Sequence, residues 1–366
     1  MSPKPTLWLR AEHKPLEARV AVTPDVAKLL VGAGYPVIVE ESSQRAFSIQ
    51  EYIDVGCTVK AEHSWRQEAD DENIVIGLKE LPDDFAAFRQ SHIHFAHVYK
   101  YQQGWQSTLN AYRRDGGRLY DLEYLVDEDG RRVAAFGYWA GFVGAALSIL
   151  AWCAQRNNKQ LSAVEPWPSQ EALVNTVNNA LTLVDTKPTV LVIGALGRSG
   201  RGALDLCESC ALASTSWDQK ETAAGGPFDE VLRHHILINC VFLNSPVRAF
   251  TNLAHLQKPN RTLSVVGDVS CDPYSKLNPL PIYTECSTML QPTERILEAN
   301  DASPLPVDVI SIDHLPSLLP HESSQEFSSA LAPHLLQLDS PTTGVWKKAA
   351  DVFDQKIVEA QGDDLL

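Results

Sequence analysis

The apolar run Val190-Leu-Val-Ile193 leads into Gly194-Ala-Leu-Gly197-Arg-Ser-Gly200-Arg-Gly202 and then into a helical stretch. The chemistry that needs this order is phosphate binding. Backbone N–H groups at a helix N-terminus must meet the anion, and a side chain there would block it. The spacing is G-x-x-G-x-x-G, a variant of the commoner G-x-G-x-x-G, and is weak evidence alone. Its setting strengthens it: a strand before, a helix after, and Asp218 at the end of the next strand, 24 residues beyond Gly194. A carboxylate there accepts hydrogen bonds from ribose hydroxyls and repels a 2′-phosphate, so the expected ligand is a dinucleotide, NAD rather than NADP. A Rossmann-like turn that binds nothing is the alternative.

A second set of residues lies in the first third of the chain. Lys79 directly follows the apolar run Asn73 to Leu78, and His97 lies at the end of the run Ile93 to Val98. If both runs are parallel strands joined by a helical crossover, both residues stand at the carboxyl edge of one sheet, where ligands gather. A lysine partly removed from water there can act as a base near neutral pH, and histidine titrates close to that range already. A solvated loop lysine and a hydrogen-bonded core histidine are the blander reading, which spacing alone favours. Arg19 and the pair Arg131-Arg132 offer planar forks that suit carboxylates, although surface arginines balancing Asp127 to Asp129 would look the same. His92 and His94 have no further ligand at metal spacing, and Cys207 and Cys210 form a lone C-x-x-C within a helix. Both pairs read as structural, and no metal site is expected.

These residues need elements to place them. Thr6 to Arg10, Tyr35 to Glu40, Asn73 to Leu78 and Ile93 to Val98 read as strands of a first series. Thr23-Pro24 opens a helix, with Thr as N-cap and Pro in the first turn, that runs to about Val31 and stops at Gly32 and Gly34. Gln103 to Arg114 is helical. Ala134 to Cys153 is the most apolar stretch and reads as a buried helix. A polar linker, Asn157 to Ser169, and a helix over Gln170 to Val184 follow. A fresh series then begins, with strands at Thr189 to Ile193, Thr215 to Asp218, Ile236 to Cys240 and Leu263 to Val266. A last helix, Val345 to Glu359, is expected to return to the first series. The alternation predicts an α/β protein of two Rossmann-like domains, each with a mostly parallel sheet, and a cleft between them. The expected division is 1–135 with 322–366 for substrate and catalysis, against 136–321 for the dinucleotide.

Composition narrows the partners. The 31 Lys and Arg against 46 Asp and Glu give a net charge of −15, a field that repels nucleic acid and anionic membranes. No continuous apolar run reaches the length of a membrane span, and the first ten residues hold no signal-peptide core. The seven cysteines are scattered and odd in number, which argues against a disulfide framework. A cytoplasmic, reduced protein is expected.

Taken together, segments along nearly the whole chain resemble the fungal saccharopine dehydrogenases. That family uses NAD, forms L-lysine at the end of the α-aminoadipate route, and sits in the wider alanine dehydrogenase and transhydrogenase superfamily. The segments are Leu9-Arg-Ala-Glu-His-Lys-Pro-Leu-Glu-Ala-Arg19, Gly77-Leu-Lys-Glu80, Phe95-Ala-His-Val-Tyr-Lys100, Leu119-Tyr-Asp-Leu-Glu123, Gly130-Arg-Arg-Val-Ala-Ala-Phe-Gly137, Gly194-Ala-Leu-Gly-Arg198, Gly225-Gly-Pro-Phe-Asp-Glu230 and Ile312-Asp-His-Leu-Pro-Ser-Leu-Leu-Pro320.

The resemblance implies a reaction, the reversible oxidative cleavage of saccharopine with NAD and water to L-lysine, 2-oxoglutarate and NADH. It implies Lys79 as base for the secondary amine and His97 as the acid/base that activates water, with Glu80 and Glu123 tuning them. It implies that Arg19, Lys79, Arg132, Phe136, Ser270, Cys271 and Asp272 bind substrate. It implies that Arg131, Gly194, Gly197, Arg198, Gly200, Asp218, Thr222, Phe242, Val269, Ile312, Asp313, His314 and Leu315 bind NAD. A monomer with small-molecule partners alone is the expectation. Ser199 stands where relatives carry cysteine, Phe242 replaces a tyrosine, and Tyr101 replaces a polar residue. These departures keep open an opine-type dehydrogenase joining another amino acid and 2-oxo acid. An inactive NAD-binding sensor is the reading from another class.

Overall fold

Short apolar runs of three or four residues build two six-stranded sheets, one in each of two units. The computed structural model describes residues 4–82, 88–100, 104–299 and 305–362. The first unit is Met1–Ala135 with Ser323–Leu366, and the second is Phe136–Glu322. Glu322 is tied into the second unit because its Oε1 accepts the backbone N–H of Gln170 at 2.5 Å.

The first sheet comprises β1 (Leu7–Leu9), β2 (Val37–Glu40), β3 (Thr58–Lys60), β4 (Ile74–Ile76), β5 (Ser91–His94) and β6 (Arg118–Asp121). Its order is β3-β2-β1-β4-β5-β6 and every pairing is parallel. The order reverses between β1 and β4, and the crevice outside the carboxyl ends at such a point is where open α/β sheets hold ligands. Helices α1 (Pro24–Gly32), α2 (Ile49–Asp54), α3 (Trp65–Glu68) and α4 (Trp105–Asp115) belong to this unit. In the second unit lie α5 (Gly137–Arg156), α6 (Gln170–Leu181), α7 (Arg198–Ser209), α8 (Gln219–Thr222) and α9 (Leu253–Leu256). Its strands are β7 (Val190–Ile193), β8 (Ser214–Trp217), β9 (Ile236–Asn239), β10 (Val265–Asp268), β11 (Glu294–Leu297) and β12 (Val307–Ile310), in the order β11-β12-β10-β9-β7-β8. All pair in parallel except β11 with β12. Helices α10 (Pro320–Leu335) and α11 (Gly344–Gly362) close the chain.

The inner strands β7 and β9 of the second sheet are buried on both faces, which is why they read as nearly unbroken apolar runs. Side chains alternate along a strand, so Val190 and Val192 join one core, while Leu191 and Ile193 join the other. Helix α5 lies in the first of these cores, with Phe142, Ala146, Ile149 and Trp152 fully buried. It is long and apolar enough to cross a membrane by length and composition, yet 78% of that window is buried inside the unit. In the first unit, Phe353 and Ala360 of α11 share a core with Trp8, Val75, Leu109 and Leu119. That places the last helix with the first series.

Several sequence expectations shift. Strand β5 stops at His94, three residues before His97; beyond it Phe95 N donates at 3.0 Å to Leu78 O, in the segment that follows β4. The strand expected at Leu263 to Val266 is β10, two residues later. Thr23 is the N-cap residue of α1, but its hydroxyl makes no cap bond; it lies 3.3 Å from the hydroxyl of Ser328, which also accepts Thr23 N at 2.9 Å. Helix α10 is unexpected, since its serines and Pro333 read as a connecting segment. Its Ser324 and Ser328 are fully buried because they accept the backbone N–H groups of Val20 and Thr23.

Helices α5 and α7 meet backbone to backbone at Gly141. A Cβ there would lie 1.7 Å from the carbonyl oxygen of Ser199. Gly141→Ala is expected to part the helices and cost about 1–3 kcal/mol, the usual range for overpacking. Thermal unfolding followed by circular dichroism reads this as a lowered midpoint, and an unchanged midpoint would refute the contact.

Candidate active site

Of the loops that leave the carboxyl edge of the first sheet, those after β1, β4, β5 and β6 carry the candidate residues. The loop after β4 carries Lys79 and Glu80. Glu12, from the loop after β1, receives it: Oε1 accepts Leu78 N at 2.6 Å and Oε2 accepts Lys79 N at 2.9 Å. Glu12 is buried and paired with buried Arg10 at 3.2 Å.

Around the Lys79 amine the charges are mixed. Burial, then Arg19, pushes its pKa below the usual lysine range; Glu17 pulls it back, Lys14 lowers it further and Glu80 raises it. Burial pushes the Glu17 carboxyl up, but Arg19 outweighs that and holds it below its usual value. Arg19 donates Nε to Glu17 Oε1 at 2.8 Å and Nη2 to Oε2 at 2.6 Å, with both side chains only 3% exposed. Arg19 therefore commits two donors to the interior rather than standing as an open carboxylate receptor. A narrow crevice lies among Arg10, Glu12, Glu17, Arg19, Arg45 and Tyr52. Burial raises the Glu80 pKa, and its own backbone N–H with Lys14, Lys79 and His97 more than reverses this. Lys14 stands 3.5 Å from Glu80.

His97 sits in the turn beyond β5 with φ 59°, in the left-handed region that side chains other than glycine rarely adopt. Such strain persists only where the surroundings over-determine it, and it gathers at functional sites. Its Nδ1 lies 3.6 Å from Glu123 Oε2, while Arg132 approaches Glu123 Oε1 at 4.0 Å. Arg131 and Arg132 are exposed, beside the Asp127 turn that accepts Arg131 N at 2.8 Å. The grouping thus brings Lys79, Glu80, His97, Glu123 and Arg132 to one edge.

In the second unit the glycine turn joins β7 to α7. Gly194 has φ 86°, and a Cβ there would meet the Cys240 carbonyl oxygen at 2.8 Å. A Cβ on Gly200 would strike Gly194 O at 2.1 Å, so the turn and helix close tightly. Gly197, the N-cap of twelve-residue α7, is exposed, and a Cβ there would have only Gly194 O nearby, at 3.4 Å. The helix start is therefore open to an anion. Asp218 follows β8, caps α8, and accepts Leu196 N at 2.9 Å, which ties the ribose-side acid to the turn. Thr222 donates its hydroxyl to Asp218 O at 3.0 Å, and Arg198 and Phe242 are exposed. An open glycine at a helix start with a carboxylate on the next strand fits a dinucleotide.

Two more segments leave this sheet's carboxyl edge. After β10, buried Asp268 accepts Ser270 N at 3.2 Å and Cys271 N at 3.4 Å, and is held by Asn239 and Tyr283. Cys271 adopts φ 44°, with its Sγ 2.9 Å from Ser311 O and 3.2 Å from Cys286 Sγ. Val269 is half-buried, and Ser270 and Asp272 are exposed. After β12, Ile312 and Leu315 turn their side chains into the core, leaving main chain for a ligand. Asp313 and His314 between them are hydrogen-bonded to each other. Phe136 is the N-cap of α5. Among the described residues no cluster of three or more His, Cys, Asp or Glu could hold a metal. Tyr101 lies outside the described residues.

Sequence reasoning missed Arg10, Glu12, Glu17, Asp121 and Asp268. The first three lie in the charged run after β1, whose density of ionisable residues beside a strand end was the available signal. Asp121 ends β6, is 1% exposed, and its Oδ1 accepts Glu123 N at 2.9 Å. Burial pushes its pKa from 3.8 up to about 6, with Glu123 adding to the rise and His97 opposing it. Between those values the folded chain holds a proton that the unfolded chain has lost, so stability falls as pH rises through them. Asp121→Asn keeps an acceptor without the charge. Its advantage over wild type should grow from about pH 4 to about pH 7, by at most about 3 kcal/mol. Denaturant titrations at both values test this, and a constant difference would refute it.

Comparisons with known proteins agree with this architecture. Residues 8–143 match the family described as alanine dehydrogenase/PNT, N-terminal domain. Among solved structures, an L-alanine dehydrogenase matches with TM-score 0.63 at 14% identity, covering 91% of this chain and 90% of that one. A transhydrogenase from Sinorhizobium meliloti matches with TM-score 0.59 at 13% identity, covering 90% and 92%. These two share the fold. A saccharopine dehydrogenase (NAD(+), L-lysine-forming) of Schizosaccharomyces pombe is 46% identical over 365 residues, covering 96% of this chain and 98% of that protein. The protein of the same name in Emericella nidulans is 45% identical over 363 residues, covering 96% and 97%. With identity at that level over nearly the full length of both partners, the chain belongs to the family of L-lysine-forming saccharopine dehydrogenases.

Proposed function

We propose that this chain catalyses the reversible, NAD-dependent oxidative deamination of saccharopine, with water, to L-lysine and 2-oxoglutarate. The observation that carries the proposal is the edge of the first sheet, where a lysine of lowered pKa stands in one grouping with Glu80, His97 and Glu123. Family membership supplies the substrate.

Each residue has a task that its surroundings suit. A secondary amine must lose its proton before the neighbouring carbon can give up hydride. Lys79, held below the usual lysine range by burial and Arg19, takes that proton. His97 removes a proton from the attacking water and returns one to the nitrogen that leaves as lysine. Glu123 stands 3.6 Å from the Nδ1 of His97. Arg132 receives a carboxylate of a substrate that has three, Arg131 contacts NAD, and the Arg19–Glu17 pair holds the field beside the Lys79 amine. Bound NAD supplies the hydride acceptor. The open start of α7 at Gly197 would hold its pyrophosphate, and Asp218 its adenosine ribose. A cytoplasmic monomer is part of the same proposal.

Purified protein should consume NADH when given L-lysine and 2-oxoglutarate. Turnover with ornithine or arginine in place of lysine that outpaces lysine, or no turnover at all, would overturn the assignment. Lys79→Met should slow saccharopine oxidation by about 10²–10⁴-fold. Activity in that direction should rise with pH as Lys79 loses its proton, and the variant's profile should lack that limb. Asp218→Ala should narrow the preference for NAD over NADP, read from the ratio of their kcat/KM values.

A further inference from the structure

The main chain of Lys79 is gripped at both its N–H and its carbonyl. Its N–H donates to Glu12 Oε2 at 2.9 Å, and the preceding N–H, of Leu78, donates to Glu12 Oε1 at 2.6 Å. Its carbonyl accepts from Arg10 Nη2 and from His94 Nδ1, the latter at 3.1 Å. A carbonyl only accepts, so Nδ1 of His94 carries the ring proton and Nε2 accepts from Tyr112 OH at 3.2 Å. Burial drives the His94 pKa far below its usual value and keeps the ring in this neutral form. Arg10, Glu12, His94 and Tyr112 are all buried. A Cβ on Gly77 would lie 2.3 Å from Arg10 Cζ, so the guanidinium lies against bare backbone.

This is a large polar investment in the main chain of Leu78 and Lys79. A buried ion pair contributes little net stability compared with apolar filling of the same volume. What it does provide is a fixed root for a flexible side chain. The lysine stem has four carbons, and the amine's surroundings (Glu17, Arg19, Lys14 and Glu80) act on it at short range. Resting on the reading of Lys79 as the base, we propose that Arg10, Glu12 and His94 are positioning residues that clamp the main chain of Lys79 and so set the reach and protonation of its amine.

Glu12→Gln in the full-length protein tests the clamp. The amide keeps one acceptor, turns an N–H₂ towards the other N–H, and ends the pairing with Arg10. Saccharopine oxidation should lose about 10²-fold in kcat, the scale of a misplacement of about 1 Å, with KM and calorimetric affinity for NAD unchanged. The rising limb of the pH profile should move to higher pH, because a loosened amine regains water and burial is the first cause of its lowered pKa. His94→Asn can still donate to the Lys79 carbonyl and should retain most activity, whereas His94→Leu should behave like Glu12→Gln. The His94 pair decides the matter if Glu12→Gln does not fold. In a Lys79→Met background, Glu12→Gln should add no further loss. An unmoved pH limb, equal activity of the two His94 variants, or an undiminished loss without Lys79 would each overturn the clamp while leaving the base in place. Full kcat in Lys79→Met alone would instead overturn the reading of the base.

Discussion

Where a parallel strand ends, its ladder of hydrogen bonds ends too, and the loop that follows must find acceptors for its N–H groups. Leaving such a donor buried and unmet costs about 1–3 kcal/mol. This protein meets the need with carboxylates. Glu40, fully buried at the end of β2, accepts Ala11 N, His63 N, Trp65 N and the Trp8 indole. Glu12 serves the loop after β4, Asp121 the loop after β6, Asp268 the loop after β10, and Asp218 the glycine turn. The same device recurs at the carboxyl edge of both sheets. Lys79, Glu123, Ser270 and Cys271 each have their backbone N–H held by one of these acids.

The device explains what sequence could and could not disclose. The glycine turn was legible because its meaning is local: strand, bare backbone, helix and acid lie within a short stretch. Lys79 was legible because it follows an apolar run. His97 was placed at a strand end, but the strand stops at His94 and an apolar turn with positive φ carries it. The supporting acids were not legible. Glu12 acts on Leu78 and Lys79, 66 and 67 residues away; the charged run it lies in marks a strand end, but no local pattern names those partners. Strands of three or four residues, such as β3 and β12, are too brief to show a period. Helix α10 was hidden by serines whose hydroxyls accept backbone donors from the first residues of the chain.

Helix α5 shows the same limit from the other side. A helix apolar all round belongs in a membrane or at the centre of a large core, and composition alone cannot choose. Here it forms the middle of the second unit, flanked by α7 through Gly141 and by the strands of the sheet. Its glycines are contact points rather than weak spots. The nearly unbroken apolar strands β7 and β9 beside it have the same cause, because both their faces are covered.

The contact between α5 and α7 is made with the carbonyl of Ser199, not with its side chain. Position 199 therefore carries two separable kinds of information. Its backbone sets the spacing of two helices, and that role is indifferent to residue type as long as the first turn of α7 stays helical. Its side chain faces the bare backbone of Gly137, where small groups of differing reactivity fit alike. A change of side chain at this position would therefore alter the chemistry at the mouth of the nucleotide turn and leave the spacing of the two helices in place.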